Sequence, residues 1–326
     1  MILTLSAVSP IKKRYPYANL YFLSDDNMLS FLNCFDFIDG TIRYDRGFFS
    51  MVKMATTIHR LKIDTIINFE RAFNKSLISF ISGAPKRLGF DSFELAPFLT
   101  ERVEDLKDNK MVHMRERYFC LTKLLGINNY EIVLPFTQTI EADKKVEKFF
   151  SDLDIKDTDF IVGINPTTGF PAKYWENKRW AYIADYLIQN KKARVIITFG
   201  PSPGQLETAR DIQNNMKEEA ILSFNTNLVE FGALMKKFKL FICLDSGPLH
   251  FAVSQNIPTI SLWGRGNLSQ WGPPPDQHVT IFKNTPCSPC DFFVCDHRTC
   301  MKEIKEKDVI EKIAKWCQDK NYENMY

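Results

Sequence analysis

Long hydrophobic runs are missing from this 326-residue chain: stretches such as Leu240 to Leu244 fall far short of the roughly 20 positions that a membrane-crossing helix needs. No spanning segment is expected. A secretory leader is not apparent either, because the opening "MILTLSAVSPIKKRYP" puts its apolar residues first and Lys12, Lys13 and Arg14 last, the reverse of the order such leaders use. The chain is therefore expected to work in the cytoplasm. An excess of one charge is also lacking, with 42 Lys and Arg against 39 Asp and Glu and a net charge of +3, which argues against a dedicated nucleic-acid binder. Lys236, Lys237 and Lys239 read as a solvated face. Several motifs are missing too. There is no G-x-G-x-x-G after a strand, no G-x-x-x-x-G-K-[ST], no H-E-x-x-H and no G-x-S-x-G, which argues against nicotinamide dehydrogenases, P-loop enzymes, zincins and nucleophile-elbow hydrolases. No low-complexity tract or short repeat is present.

What remains is an ordinary globular composition, 45% apolar and 25% charged, long enough for two cores. Short β-rich runs alternate with amphipathic ones. Strands are expected at 18–23, 40–45 and 64–69, then at 159–165, 193–200, 219–224, 240–245 and 257–264. Helical patterns are expected at 49–61, 73–82 and 112–125, then at 177–190, 204–217, 227–237, 247–255 and 307–320. Strands this uniformly apolar imply parallel sheets covered by helices on both faces. The charged segment 140–159 reads as a helix plus a polar link. This α/β pattern predicts two doubly wound domains, 1–155 and 156–326.

Two segments carry the chemistry. "FICLDSGPLHF" runs from an apolar strand into Asp245, Ser246, Gly247 and Pro248, with His250 close behind. In doubly wound sheets ligands bind beyond the carboxyl ends of strands, where the next helix offers unpaired N–H groups. Alone, the stretch reads equally well as a plain strand-to-helix turn with Asp245 or Ser246 as N-cap, and His250 as a satisfied core histidine. "GINPTTGFPAKYWENKRW" shifts the balance, because it places Thr167, Thr168 and Gly169 after another strand, with Lys173 beyond. Hydroxyls, small residues and a lysine at adjacent strand ends are the parts that hold a diphosphate without a metal.

These two segments, "VIITFGPSPGQLETARDI", the "PCSPCDFFVCDHRTCMKEI" tail and, in the first half, "SGAPKRLGFD" and "HMRERYFCLTKLLG" together resemble glycosyltransferase family 9, the ADP-heptose:lipopolysaccharide heptosyltransferases. The resemblance runs nearly end to end. It implies a GT-B architecture, two Rossmann-like domains facing a cleft, with acceptor in the first and nucleotide sugar in the second. It implies inverting transfer of heptose from ADP-heptose to a lipopolysaccharide inner-core acceptor, peripherally at the inner face of the inner membrane, with no cofactor and no catalytic metal. It implies that Thr167, Thr168 and Lys173 contact the donor phosphates, that Asp245, Ser246, Gly247 and His250 line the diphosphate and sugar, and that adenine lies near Ser223 to Leu228. Asn68, Glu70 and Arg87 are weaker candidates for the acceptor. The C-terminal helix would pack back on the first domain.

Two features stay open. The family's base is an aspartate in a Gly-Asp pair at the end of the first strand, and the match to "MILTLSAVSPIKKRYP" places that pair, with its strand, just ahead of Met1. A mis-started reading and a short form without the base both fit; as written, donor binding with weak or absent turnover is expected, or a silent nucleotide-sugar binder, or a relative with another sugar or acceptor. Asp25, Asp26 and Glu70 read as caps or surface groups rather than a replacement base. Cys287, Cys290, Cys295 and Cys300 have a spacing compatible with structural zinc, although reduced thiols fit as well.

Overall fold

The protein is described here by a computed structural model, which covers residues 1–320 and Tyr322. It divides into two compact units, the first ending at Thr137 and the second beginning at Gln138. The first contains α1 (Ile2–Arg14), β1 (Tyr21–Ser24), α2 (Asp26–Leu32), β2 (Gly40–Arg43), α3 (Phe48–Arg60), β3 (Thr65–Asn68), α4 (Phe73–Ile81), β4 (Lys86–Phe90), β5 (Glu101–Val103) and α5 (Met114–Lys123). The second opens with α6 (Ile140–Asp152), β6 (Ile161–Asn165), α7 (Asn177–Lys191), β7 (Arg194–Ile197), α8 (Gln205–Asn214), β8 (Ile221–Leu222) and α9 (Leu228–Met235). It continues through β9 (Leu240–Leu244), α10 (Gly247–Ser254), β10 (Thr259–Trp263), α11 (Leu268–Trp271), β11 (His278–Phe282), α12 (Thr299–Lys302) and α13 (Glu306–Asp319).

The division falls at 137/138 rather than near 155. Helix α6 is the reason: Ala142, Val146 and Phe150 recur every four residues, are buried, and pack the helix on α9 of the second unit. Its charges lie on the outer face, which is why it resembles a link in sequence. Helix α13, expected to reach back to the first domain, is a member of the second unit's own core. Its Val309, Ile313, Trp316 and Cys317 are buried, and it packs on α7, β10 and β11.

In the second unit six strands form one parallel sheet in the order β11-β10-β9-β6-β7-β8. Every residue of β6, β9 and β10 is buried, as strands covered on both faces require. Gly163 sits inside β6 because the Phe238 ring lies on the strand there; a Cβ would come within 2.4 Å of it. Strand order reverses between β6 and β9, and such a switch point is where open α/β sheets bind ligands.

The first unit is also parallel, but its strands form two pieces, β1-β2 and β3-β4-β5. Helix α1 packs on α5 and buries its residues from Leu3 to Ile11. Phe31, Phe35 and Phe136 form an aromatic cluster with ring centroids 5.2–5.5 Å apart. Arg117 is held bidentately by Asp105 at 2.5 and 3.0 Å and lies 4.0 Å over the Phe90 ring. Burial works to raise the Asp105 pKa, but the hydrogen bonds and charge of Arg117, with Arg71 nearby, bring it below the ordinary carboxylate value.

Candidate functional site

The loops after β6 and β9 are brought together by the sheet itself, since Asn165 pairs with Cys243 where the two strands end. Across that junction the Lys173 ammonium reaches the Asp245 carboxylate at 2.6 Å and its backbone carbonyl at 3.0 Å. The pair is nearly enclosed, with side chains 12% and 8% exposed. Sequence reasoning identified both residues but not this bond, which spans 72 positions. The lysine charge is thus matched by the Asp245 carboxylate.

Around this pair the structure leaves groups turned to one edge of the sheet. Ser246 is the N-cap of α10, yet its hydroxyl donates back to the Leu244 carbonyl at 3.2 Å instead of capping the helix. Asn227 and Thr139, by contrast, cap α9 and α6 with their side chains. The first amides of α10 therefore have no side-chain cap, and Pro248 in the first turn lacks an N–H in any case. Nothing lies within 4 Å of a Cβ built on Gly247 or Gly169, so both loops are open at their glycines. Thr167 and Thr168 are buried. Thr167 donates to Gln205 Oε1 at 3.0 Å, the same oxygen that accepts from the Gly200 amide at 2.7 Å and so ties the β6 and β7 loops together. His250 lies in the first half of α10, its ring 6.3 Å from that of Trp271.

One residue escaped the sequence reading. Arg265 follows β10, its guanidinium 4.9 Å over the Phe170 ring, while the Lys173 ammonium sits 5.0 Å from the same ring. Among the described residues its Nε is buried without a hydrogen-bond partner. Next to it, Gly266 is needed because a Cβ would meet Asp245 Oδ2 at 2.2 Å. Two more buried atoms without partners among the described residues, Asn165 Oδ1 and Ser223 Oγ, stand at the ends of β6 and β8. Ser223 opens the stretch expected for the nucleobase.

The cysteine-rich segment supports these loops. The Cys290 amide donates to the Arg265 carbonyl at 3.1 Å, the Ser288 hydroxyl donates to the Gly264 carbonyl, and the Ala172 amide donates to the Phe293 carbonyl at 3.2 Å. Cys295 Sγ is 2.9 Å from His297 Nδ1, and Cys300 is buried. Among the described residues no three Cys, His, Asp or Glu side chains converge as a metal site, and all eight cysteines are free thiols.

The weaker candidates lie in the first unit. Asn68 is buried and donates to the Ser79 hydroxyl at 3.3 Å, and Glu70 pairs with Lys75 at 2.6 Å. Arg87 donates to the backbone carbonyls of Phe98 and Ala84, at 2.8 and 2.5 Å, a use that braces a turn. Asp26 is an exposed partner of Arg43 at 3.4 Å, and Asp25 is the N-cap of α2.

Comparison with known proteins gives the family and the fold. The model of glycosyltransferase family 9 (heptosyltransferase) matches residues 51–308. The chain is similar to lipooligosaccharide heptosyltransferase 2 of Campylobacter jejuni subsp. jejuni serotype O:6, 28% identical over 262 residues, covering 78% of this chain and 76% of that protein. Its fold is similar to the glycosyl transferase family 9 structure from Veillonella parvula DSM 2008, with TM-score 0.85, 22% identity, and coverage of 98% of this chain and 94% of that one. It is also similar to the E. coli ADP-heptose lps heptosyltransferase II, with TM-score 0.78, 18% identity, and coverage of 98% and 96%. No helix among the described residues is long and apolar enough to cross a membrane.

Proposed function

The chain belongs to glycosyltransferase family 9, the heptosyltransferases, with the α/β GT-B fold, and on that footing we propose that it uses ADP-heptose to glycosylate a lipopolysaccharide core acceptor with inversion. The observation that carries this reading is the buried Lys173–Asp245 pair at the junction of β6 and β9, beside the uncapped start of α10.

In the proposed reaction an acceptor hydroxyl oxygen forms a bond to the anomeric carbon as the bond from that carbon to the β-phosphate oxygen breaks. The hydroxyl proton passes to a base, and ADP departs with the bonding pair. Negative charge therefore grows on the diphosphate in the transition state, and donors already aimed at that position lower the barrier most. Lys173, Arg265, the hydroxyls of Thr167, Thr168 and Ser246, and the α10 amides supply those donors, which is why the proposal needs no metal. Asp245 orients Lys173 and accepts hydrogen bonds from sugar hydroxyls. His250 faces the phosphate from α10. The acceptor binds to the first unit, where Asn68 and Glu70 are the proposed contacts.

The proposal places the protein in the cytoplasm, peripheral to the inner membrane. Incubation with ADP-heptose and a heptose-deficient core acceptor tests the function. ADP release that depends on the acceptor and yields an inverted linkage is the expected result. Release from UDP-linked or GDP-linked sugars in preference to ADP-heptose would overturn the donor assignment.

A further inference from the structure

Phe170 is an aromatic residue that the second unit's core does not use. It is 40% exposed and stands outside the cluster of buried side chains around the sheet. Its backbone is nevertheless fixed. The Phe170 amide donates to the Thr168 hydroxyl at 3.4 Å, and its carbonyl accepts from the Lys173 amide at 2.9 Å as it opens the short 3-10 turn Pro171–Lys173. The ring is fixed as well, edge-on to that of Phe293 with centroids 5.3 Å apart, beside the bond from the Ala172 amide to the Phe293 carbonyl. An exposed ring held this firmly has some use other than filling space.

That use is visible in its neighbours. Lys173 comes from the loop after β6 and Arg265 from the loop after β10, with β9 and its Asp245 between them in the sheet. Phe170 bridges the gap: its ring centroid is 5.0 Å from the Lys173 ammonium and 4.9 Å from the Arg265 guanidinium carbon. The negative face of an aromatic ring attracts cations at such distances. Lys173 has the Asp245 carboxylate as a second partner, whereas among the described residues the Arg265 Nε is buried with no acceptor. A leucine at this position would cover similar apolar area and attract neither cation, and the two like charges would be left to repel each other. Long lysine and arginine side chains also lose rotamer freedom when they bind an anion, a cost that shrinks when they are ordered beforehand. We propose that Phe170 is a positioning residue, whose ring holds the Lys173 ammonium and the Arg265 guanidinium together so that both reach one diphosphate already ordered. The inference rests on the proposed donor reading, which assigns both cations to phosphate, and adds a residue that acts through them.

Phenylalanine analogues carrying one, two or three ring fluorines, incorporated at position 170 of the full chain, test it. Fluorine drains electron density from the ring face with little change in volume, so a purely structural role does not respond to the series. The dissociation constant for ADP, read by calorimetric titration, is expected to rise with each fluorine, by about tenfold in all. Phe170→Leu is expected to lose as much, and Phe170→Tyr, which keeps the ring, to retain the parent affinity. Adenosine, which carries no phosphate, is expected to bind alike across the series. The proposal is overturned if ADP affinity is flat across the fluorinated rings, or if Phe170→Leu binds ADP like the parent. It is equally overturned if adenosine weakens in step with ADP, since the ring then serves the nucleobase. Lys173→Met and Arg265→Gln, titrated alongside, separate this failure from that of the donor reading. If they weaken ADP and fluorination does not, the positioning role alone is lost; if neither weakens ADP, the donor reading fails and the inference falls with it.

Discussion

Replacing Lys173 with methionine keeps most of the side-chain volume and removes only the charge, and the geometry predicts two separable losses. The first is binding. A charge-assisted hydrogen bond to phosphate contributes about 1.5–3 kcal/mol, so ADP affinity should fall roughly 10- to 150-fold. The second is stability. Lys173 and Asp245 are almost enclosed, and the variant leaves the Asp245 carboxylate buried and unpaired. Breaking such a pair costs about 3–5 kcal/mol, or roughly 6–20 °C in Tm for a unit of this size. Combining Lys173→Met with Asp245→Asn separates the two, because the double variant has no stranded charge. It should recover most of the Tm while ADP binding stays weak, and the cycle of single and double variants gives the coupling. Calorimetric titration with ADP and a thermal melt of all four proteins supply the numbers. A single variant that binds ADP as tightly as the parent would remove Lys173 from the site, and one that melts unchanged would show that the pair is not enclosed.

Three further outcomes are expected. Arg265→Gln should weaken ADP several-fold in titrations and leave adenosine binding unchanged, because the guanidinium is proposed to act on phosphate; equal losses for both ligands would assign it a structural role. Gly266→Ala drives a Cβ to 2.2 Å from Asp245 Oδ2, so the loop or the carboxylate must shift, and ADP affinity should drop although the substituted residue carries no functional group. Asp105→Asn should destabilise the first unit at pH 7 by about 3 kcal/mol, the order for leaving buried Arg117 unpaired. Asp105 has a depressed pKa when folded, so its stabilisation is complete above the unfolded value near 3.9 and fades as pH falls through the lower folded value. Parent and variant melts should therefore converge in strong acid; a constant gap across pH would contradict the assignment.

The second unit's sheet was largely legible because β6, β9 and β10 are unbroken apolar runs bounded by polar turns, and their loops carry hydroxyls and glycines in recognisable order. Other elements gave no such signal. Strand β4 opens with Lys86 and Arg87 and contains Gly89, a residue required because the Leu99 side chain lies 2.8 Å from where a Cβ would be. Strand β5 is the three-residue Glu101–Val103, too short for any period to show. Within the proposed site, Thr167, Thr168 and Ser246 were candidates because of their position after a strand. Arg265 was not, since an arginine in a loop has no pattern until β10 is laid beside β9 and Phe170 comes underneath it. The Lys173–Asp245 bond was hidden for a related reason: parallel topology, and not sequence distance, makes the two loops neighbours.

A crystal structure of the protein with ADP tests the central claim most directly. The account predicts the diphosphate at the carboxyl ends of β6 and β9, within hydrogen-bonding distance of Thr168, the α10 amides and Lys173. A diphosphate bound away from that junction, with the Lys173–Asp245 pair untouched, would contradict it.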